Sequence, residues 1–87
     1  MKISGGKTLA ELKDEISRNI PARSASPEYY GWEAADTIAR ALVALQSAPN
    51  KSQLLQVSTL VDVQSAQLGK DHQSVVLLRQ MYAIVAG

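Results

Sequence analysis

The spacing of the apolar residues constrains this chain more than any other feature. In four segments they recur three and four positions apart, which is the period of one face of an α-helix. Helix-breaking residues separate the segments: Pro21, the turn "SAPN" and Gly69. The pattern predicts an all-α fold, a compact bundle of four short helices at about 8–19, 27–47, 51–68 and 72–85.

Residues that favour N-cap positions precede each segment. They are Thr8, Ser26, Asn50 or Ser52, and Asp71. Thr8 is followed three residues later by Glu11, the pattern of a capping box, and Pro27 suits a first helical position. These signals fix where the helices are expected to begin.

The length of 87 residues predicts one domain over 1–87, with a flexible start at 1–6 and a linker at 20–26 between the first two helices. A chain this short buries only about 60–65% of its unfolded surface and needs efficient packing. There is no cysteine, so disulfide cross-links and thiolate chemistry are excluded.

The sequence offers no catalytic set. A single histidine cannot form a histidine-based zinc site, and the acidic residues include neither a calcium-loop pattern nor a Glu-x-x-His pair. The stretch "SGGKT" lacks the first glycine of a phosphate-binding loop. We therefore expect a non-enzymatic protein with no catalytic residue, no metal, no cofactor and no small-molecule substrate.

Charge and hydropathy indicate where such a protein works. Nine basic and eight acidic residues give a net charge of +1, and the two signs are interspersed, which disfavours nucleic acid as a partner. The N-terminal residues carry charges where a signal peptide would be apolar, and the longest apolar tract is interrupted by Arg79 and Gln80. The expected location is cytoplasmic, in a bacterium or phage-infected cell, without membrane contact.

The fourth predicted helix is apolar on nearly every side. Its apolar residues form two faces: Val75, Leu78, Met81, Tyr82 and Val85 on one, and Val76, Leu77 and Ile84 on the other. Such a helix is either central in its domain or shared with a partner. The leading hypothesis is a protein–protein interaction module, an adaptor, chaperone-like binder or inhibitor, that contacts another protein or itself through Val76, Leu77 and Ile84.

Three of the four aromatic residues lie in one helical turn, "SPEYYGWEAAD". Tyr30 aligns with Ala34 and Ile38 and is expected in the core. Tyr29 and Trp32 share another face and are expected to be partly exposed, as additional interface residues, because exposed Trp and Tyr are enriched in binding hot spots.

Residues 63–81 support an alternative hypothesis. Their sequence resembles the core of the helix-turn-helix family in its leucine before a turn glycine, its capping aspartate and its apolar spacing: Leu68, Gly69, Asp71, Val75 and Leu78. The resemblance implies a DNA-binding regulator. It would contact base edges through His72, Gln73 and Ser74 and phosphates through Lys70 and Arg79. An ordinary helical hairpin accounts for the same pattern, and the dispersed charge favours it.

A third hypothesis concerns assembly. Residues 44–67 look similar to the hairpin of type III secretion needle subunits, with a proline-containing turn, a pair of leucines and a glutamine-rich helix. That similarity implies a self-assembling helical subunit. Gly69 interrupts the long C-terminal helix that the family has.

Overall fold

In the computed structural model, which describes residues 7–87, most of the described backbone is helical. Within that range the α-helices are α1 (Leu9–Arg18), α2 (Glu28–Ser47), α3 (Lys51–Leu68) and α4 (Gln73–Ala86), with a 3₁₀ turn at Arg23–Ala25. The all-α bundle is confirmed, and the predicted bounds agree to within one or two residues. The expected flexible start at 1–6 lies outside the described residues.

Helices α2 and α4 form the centre of the bundle. Each packs against the other and against both α1 and α3, whereas α1 and α3 do not meet each other in the described part of the chain. The core therefore lies along the α2–α4 contact. Its most completely buried aliphatic side chains are Leu12, Ile16, Leu42, Val75, Leu77, Leu78 and Met81.

The predicted start of α2 is wrong by one residue. The helix begins at Glu28 and its N-cap is Pro27, which makes no side-chain cap hydrogen bond, so Ser26 is not the cap and Pro27 is not the first helical residue.

The other helix ends follow the capping signals, with one correction. Thr8 and Glu11 form the reciprocal capping box, and the Asn50 side chain accepts a hydrogen bond from the backbone N–H of Gln53. The expectation that Asp71 caps the last helix is wrong. That helix begins at Gln73, and His72 is the N-cap because its ring accepts a hydrogen bond from the Ser74 backbone N–H.

Helix α2 is rotated relative to the predicted stripe. Trp32 is 7% exposed and belongs to the core, whereas Tyr30 is 55% exposed, so the expectations for these two rings are wrong. Only Tyr29 is partly buried as expected. Because α2 touches all the other described helices, its buried arc is wide and runs through Trp32, Ala35, Ala39 and Leu42.

The rotation also buries a carboxylate. Asp36 is 6% exposed, and its two oxygens accept hydrogen bonds from the Ser17 hydroxyl at 2.7 Å and from the Arg40 Nε at 3.0 Å. A buried carboxylate needs such partners to offset its lost hydration. The bond to Ser17 ties α1 to α2 through a polar contact beside the core.

Helix α4 uses its surplus apolar surface within the bundle. Leu77 is 2% exposed, so the expectation that it contacts a partner is wrong. The physical reason is the central position of α4, which has α1, α2 and α3 packed around it. Of the two possibilities for a helix apolar on every side, the structure shows the one in which the helix is central.

This burial predicts a large loss of stability on truncating Leu77. Leu77→Ala should lower the free energy of unfolding by about 2–5 kcal/mol, since it removes buried contacts and leaves a cavity. Leu55→Ala is the matched control, because Leu55 is 69% exposed in the middle of a helix; it should change stability by less than about 0.5 kcal/mol. Urea unfolding followed by Trp32 fluorescence measures both, and equal losses would contradict the buried position of Leu77.

Candidate functional site

The surface expected on α4 is not continuous. Val76 is half-buried and Ile84 is 42% exposed. Eight residues separate them, which places them about 80° apart around the helix. With Leu77 buried, the three contact residues expected on α4 do not form one apolar face.

The residues of the helix-turn-helix hypothesis do not face one surface either. Ser74 is fully buried, and the side chain of His72 is only 15% exposed. Gln73, Lys70 and Arg79 are exposed, and the Arg79 guanidinium lies 3.6 Å from the Asp62 carboxylate. Base-edge contacts need side chains that project from the start of the second helix, and here two of the expected three are turned inward.

His72 instead joins the starts of α2 and α4. Its Nε2 lies 3.3 Å from both carboxylate oxygens of Glu28, and its Nδ1 lies 2.8 Å from the Ser74 hydroxyl. The Ser74 backbone N–H can only donate, so Nδ1 is an acceptor and Nε2 carries the proton that points at Glu28. Trp32 completes the group: its indole N–H donates to Glu28 at 3.2 Å.

This group has the composition of a Ser-His-Glu triad but not its accessibility. A nucleophilic serine must reach a substrate carbonyl beside an oxyanion hole. Ser74 has no exposed surface, so its hydroxyl is closed to any substrate. The arrangement therefore acts as a structural clasp that caps α4 and holds it to α2.

The tyrosines of the aromatic turn contact each other and neighbouring charged side chains. Tyr29 and Tyr30 meet edge to face at 5.1 Å, and the Arg23 guanidinium lies 5.8 Å from the centre of the Tyr29 ring. The Tyr29 hydroxyl donates to the Glu33 carboxylate at 2.7 Å, and this hydrogen bond raises the pKa of Tyr29. Of the three rings, Tyr30 has the largest exposed fraction.

An open, uncharged surface lies across α2 and α3. Along one side of α2, residues that follow one another at intervals of four and three positions are all exposed or half-buried. One side of α3 shows the same pattern. We call this surface the α2–α3 face; its members are Tyr30, Ala34, Thr37, Ala41, Ala44 and Ala48 on α2, and Gln53, Gln56, Leu60, Val63 and Gln67 on α3. None of these residues carries a charge.

A groove runs between the two helices in this face. It has a volume of about 400 Å³ and is lined by small or uncharged side chains: Ala41, Ala44, Leu45, Ala48, Gln53, Gln56, Val57 and Leu60. Leu60 stands at its edge, 49% exposed. At the far end the helices approach closely, because Gly31 leaves room for Leu68 and its carbonyl accepts a hydrogen bond from the buried Gln64 amide.

The α2–α3 face was not among the predicted interaction surfaces, although its spacing is visible in the sequence. The α2 members follow intervals of four, three, four, three and four residues, and the α3 members follow three, four, three and four. Such intervals mark a contact seam in helix packing. The signal is weak because alanine and glutamine are ordinary in solvent-facing helices, whereas the apolar residues of α4 are large.

Two other kinds of site are absent from residues 7–87. No group of three or more His, Asp or Glu side chains converges there in a way that could hold a metal ion. None of the helices in that range is both long and apolar enough to cross a bilayer.

The clasp predicts a specific pattern of stability losses. His72→Ala removes the N-cap acceptor of α4 and should lower the free energy of unfolding by about 0.5–2 kcal/mol. His72→Asn keeps a capping side chain and should recover most of that loss, since asparagine is among the best N-cap residues. Urea unfolding distinguishes the two variants, and equal stability of His72→Ala and the unmodified protein would contradict the clasp.

Comparison with known proteins gives no relative from which a role could be transferred. No protein-family model matches the chain, and no curated protein or solved structure matches it either. Function therefore has to be inferred from the chemistry of the described surfaces.

Proposed function

We propose that this chain is a non-enzymatic protein–protein interaction module that binds its partner through the α2–α3 face. The observation that carries the proposal is the uncharged groove between two antiparallel helices, with Leu60 at its edge and alanines along its floor. Grooves of this kind accept the apolar side of a partner helix. The proposal keeps the class of function expected from the sequence and moves its contact surface from α4 to α2 and α3.

The size of the face supports this role. Two helices that lie side by side, each about 27 Å long and about 10 Å wide, present an outer surface of roughly 500 Å². The largest apolar patch of a typical monomer covers about 300–600 Å² and is often functional; the α2–α3 face combines apolar side chains with uncharged polar ones. Charged residues occur on the other surfaces, for example Lys7, Glu15 and Arg18 around α1, so the absence of charge is a property of this face.

The alternatives have weaker support. A DNA-binding surface would need exposed side chains at the start of α4, where Ser74 is buried and His72 is held by Glu28. A hydrolase would need an open nucleophile, and the serine beside His72 is closed to solvent. An interaction module requires neither of these features.

Site-specific photo-crosslinking in the cells that make the protein tests the proposal. A benzophenone amino acid replaces Leu60 in one version and Leu55 in another. Both positions are exposed leucines in α3, but five residues place them about 140° apart around the helix. We expect a crosslinked protein adduct at position 60 that is absent or much weaker at position 55.

The contrasting results have clear meanings. Equal adducts at both positions would indicate non-specific contact and would contradict a binding role for the face. No adduct at position 60, with the protein folded and the label incorporated, would remove the face as an interaction site under those conditions and with it the proposed function.

A further inference from the structure

We propose that the occupant of the α2–α3 face is a second copy of this chain, packed about a two-fold axis. The inference rests on the proposed function, because it names the partner of the same surface. In the assembly, α2 and α3 of one copy lie against α2 and α3 of the other. Each copy supplies the same residues to the contact, as in any isologous dimer.

Charge is the first reason to choose a second copy. A surface that meets itself across a two-fold axis brings identical groups close together, and a charged patch would then repel itself. All eleven members of the α2–α3 face are uncharged, so self-contact creates no like-charge pair. A strongly charged partner would find no complement there.

The polar members of the face suit self-contact as well. Gln53, Gln56 and Gln67 each carry a side-chain amide that donates and accepts hydrogen bonds. An amide can therefore pair with the same amide from another copy, whereas two ammonium groups or two carboxylates would repel each other at neutral pH. A glutamine of one copy can therefore form hydrogen bonds with the same glutamine of the other copy.

Shape gives the third reason. The face holds two prominent aliphatic side chains, Leu60 and Val63, and Leu60 lies beside a trough made by Ala41, Ala44 and Ala48. Small residues allow helices to approach closely, and a leucine from a facing helix fills the space that they leave. A two-fold axis between the copies places each Leu60 over the alanine trough of the other copy, so both troughs are filled by one kind of contact.

The size of the face sets the expected strength. About 500 Å² from each copy gives roughly 1,000 Å² in total, below the 1,200–2,000 Å² of stable specific complexes. The dimer is therefore expected to be weak, since contacts of this size are typical of transient complexes. Association is expected to depend on protein concentration.

Mass in solution tests the inference directly. Light scattering or sedimentation of the full chain, over about 5–500 µM, should show monomers converting to dimers. Leu60→Glu should raise the dissociation constant at least about tenfold, because it places two carboxylates in an apolar contact. The matched control Leu55→Glu adds the same charge to the same helix, away from the face, and should leave the dissociation constant unchanged within about twofold.

A charge-pairing experiment identifies the facing residues. Ala44→Lys should weaken self-association as Leu60→Glu does, because two like charges enter the trough region. An equimolar mixture of the two variants should form a heterodimer more tightly than either variant forms a homodimer. The reason is that the carboxylate introduced at position 60 of one copy then faces the ammonium group introduced at position 44 of the other. Circular dichroism melting of each variant establishes that it is folded.

The outcomes distinguish failure of the second copy as occupant from failure of the proposed interaction function. A monomer at every concentration, or equal weakening by Leu60→Glu and Leu55→Glu, would overturn the second copy as the occupant. The proposed function would survive that result if the label at position 60 still crosslinked a different protein. If neither dimer nor adduct formed at position 60, both would be wrong.

Discussion

The contact between α2 and α4 is the interaction on which the rest of this fold depends. Helices α1 and α3 do not touch each other in residues 7–87, so they are held together only through this central pair. Ala35 and Ala39 of α2 are fully buried, and such small side chains let neighbouring helices approach closely. On α4, Val75, Leu78 and Met81 are also without exposed surface. In a chain with no disulfide, this packing has to supply most of the stability.

Much of the fold is predictable because its signals are local. The helix starts at Thr8 and Asn50 and the break at Gly69 follow from capping and backbone preferences of single residues. The rotation of each helix about its axis is less predictable, because it depends on which other helices surround it. On α2, alanines occur on several sides, so the apolar pattern did not reveal that Trp32 faces inward and Tyr30 outward. Burial of Asp36 also depends on a distant partner, the Ser17 hydroxyl.

The same limit explains the candidate site. An apolar excess on α4 was visible in the sequence, but its fate depends on the number of helices around it, and the bundle absorbs Leu77 completely. Of the six large hydrophobic side chains that are exposed in the described residues, three lie on α3: Leu55, Leu60 and Val63. His72 shows a related effect: its role as cap and clasp requires Glu28, which is 44 residues away in sequence.

Nuclear magnetic resonance of the unmodified protein during dilution measures the central claim most directly. Backbone amide ¹H–¹⁵N spectra recorded between about 500 and 5 µM report every residue at once, without a substitution. If a second copy occupies the α2–α3 face, the amides of Ala41, Ala44 and Leu60 shift with dilution, while those of α1 and Leu55 stay constant. Spectra that do not change, or changes centred on α1 or α4, would contradict self-association through this face.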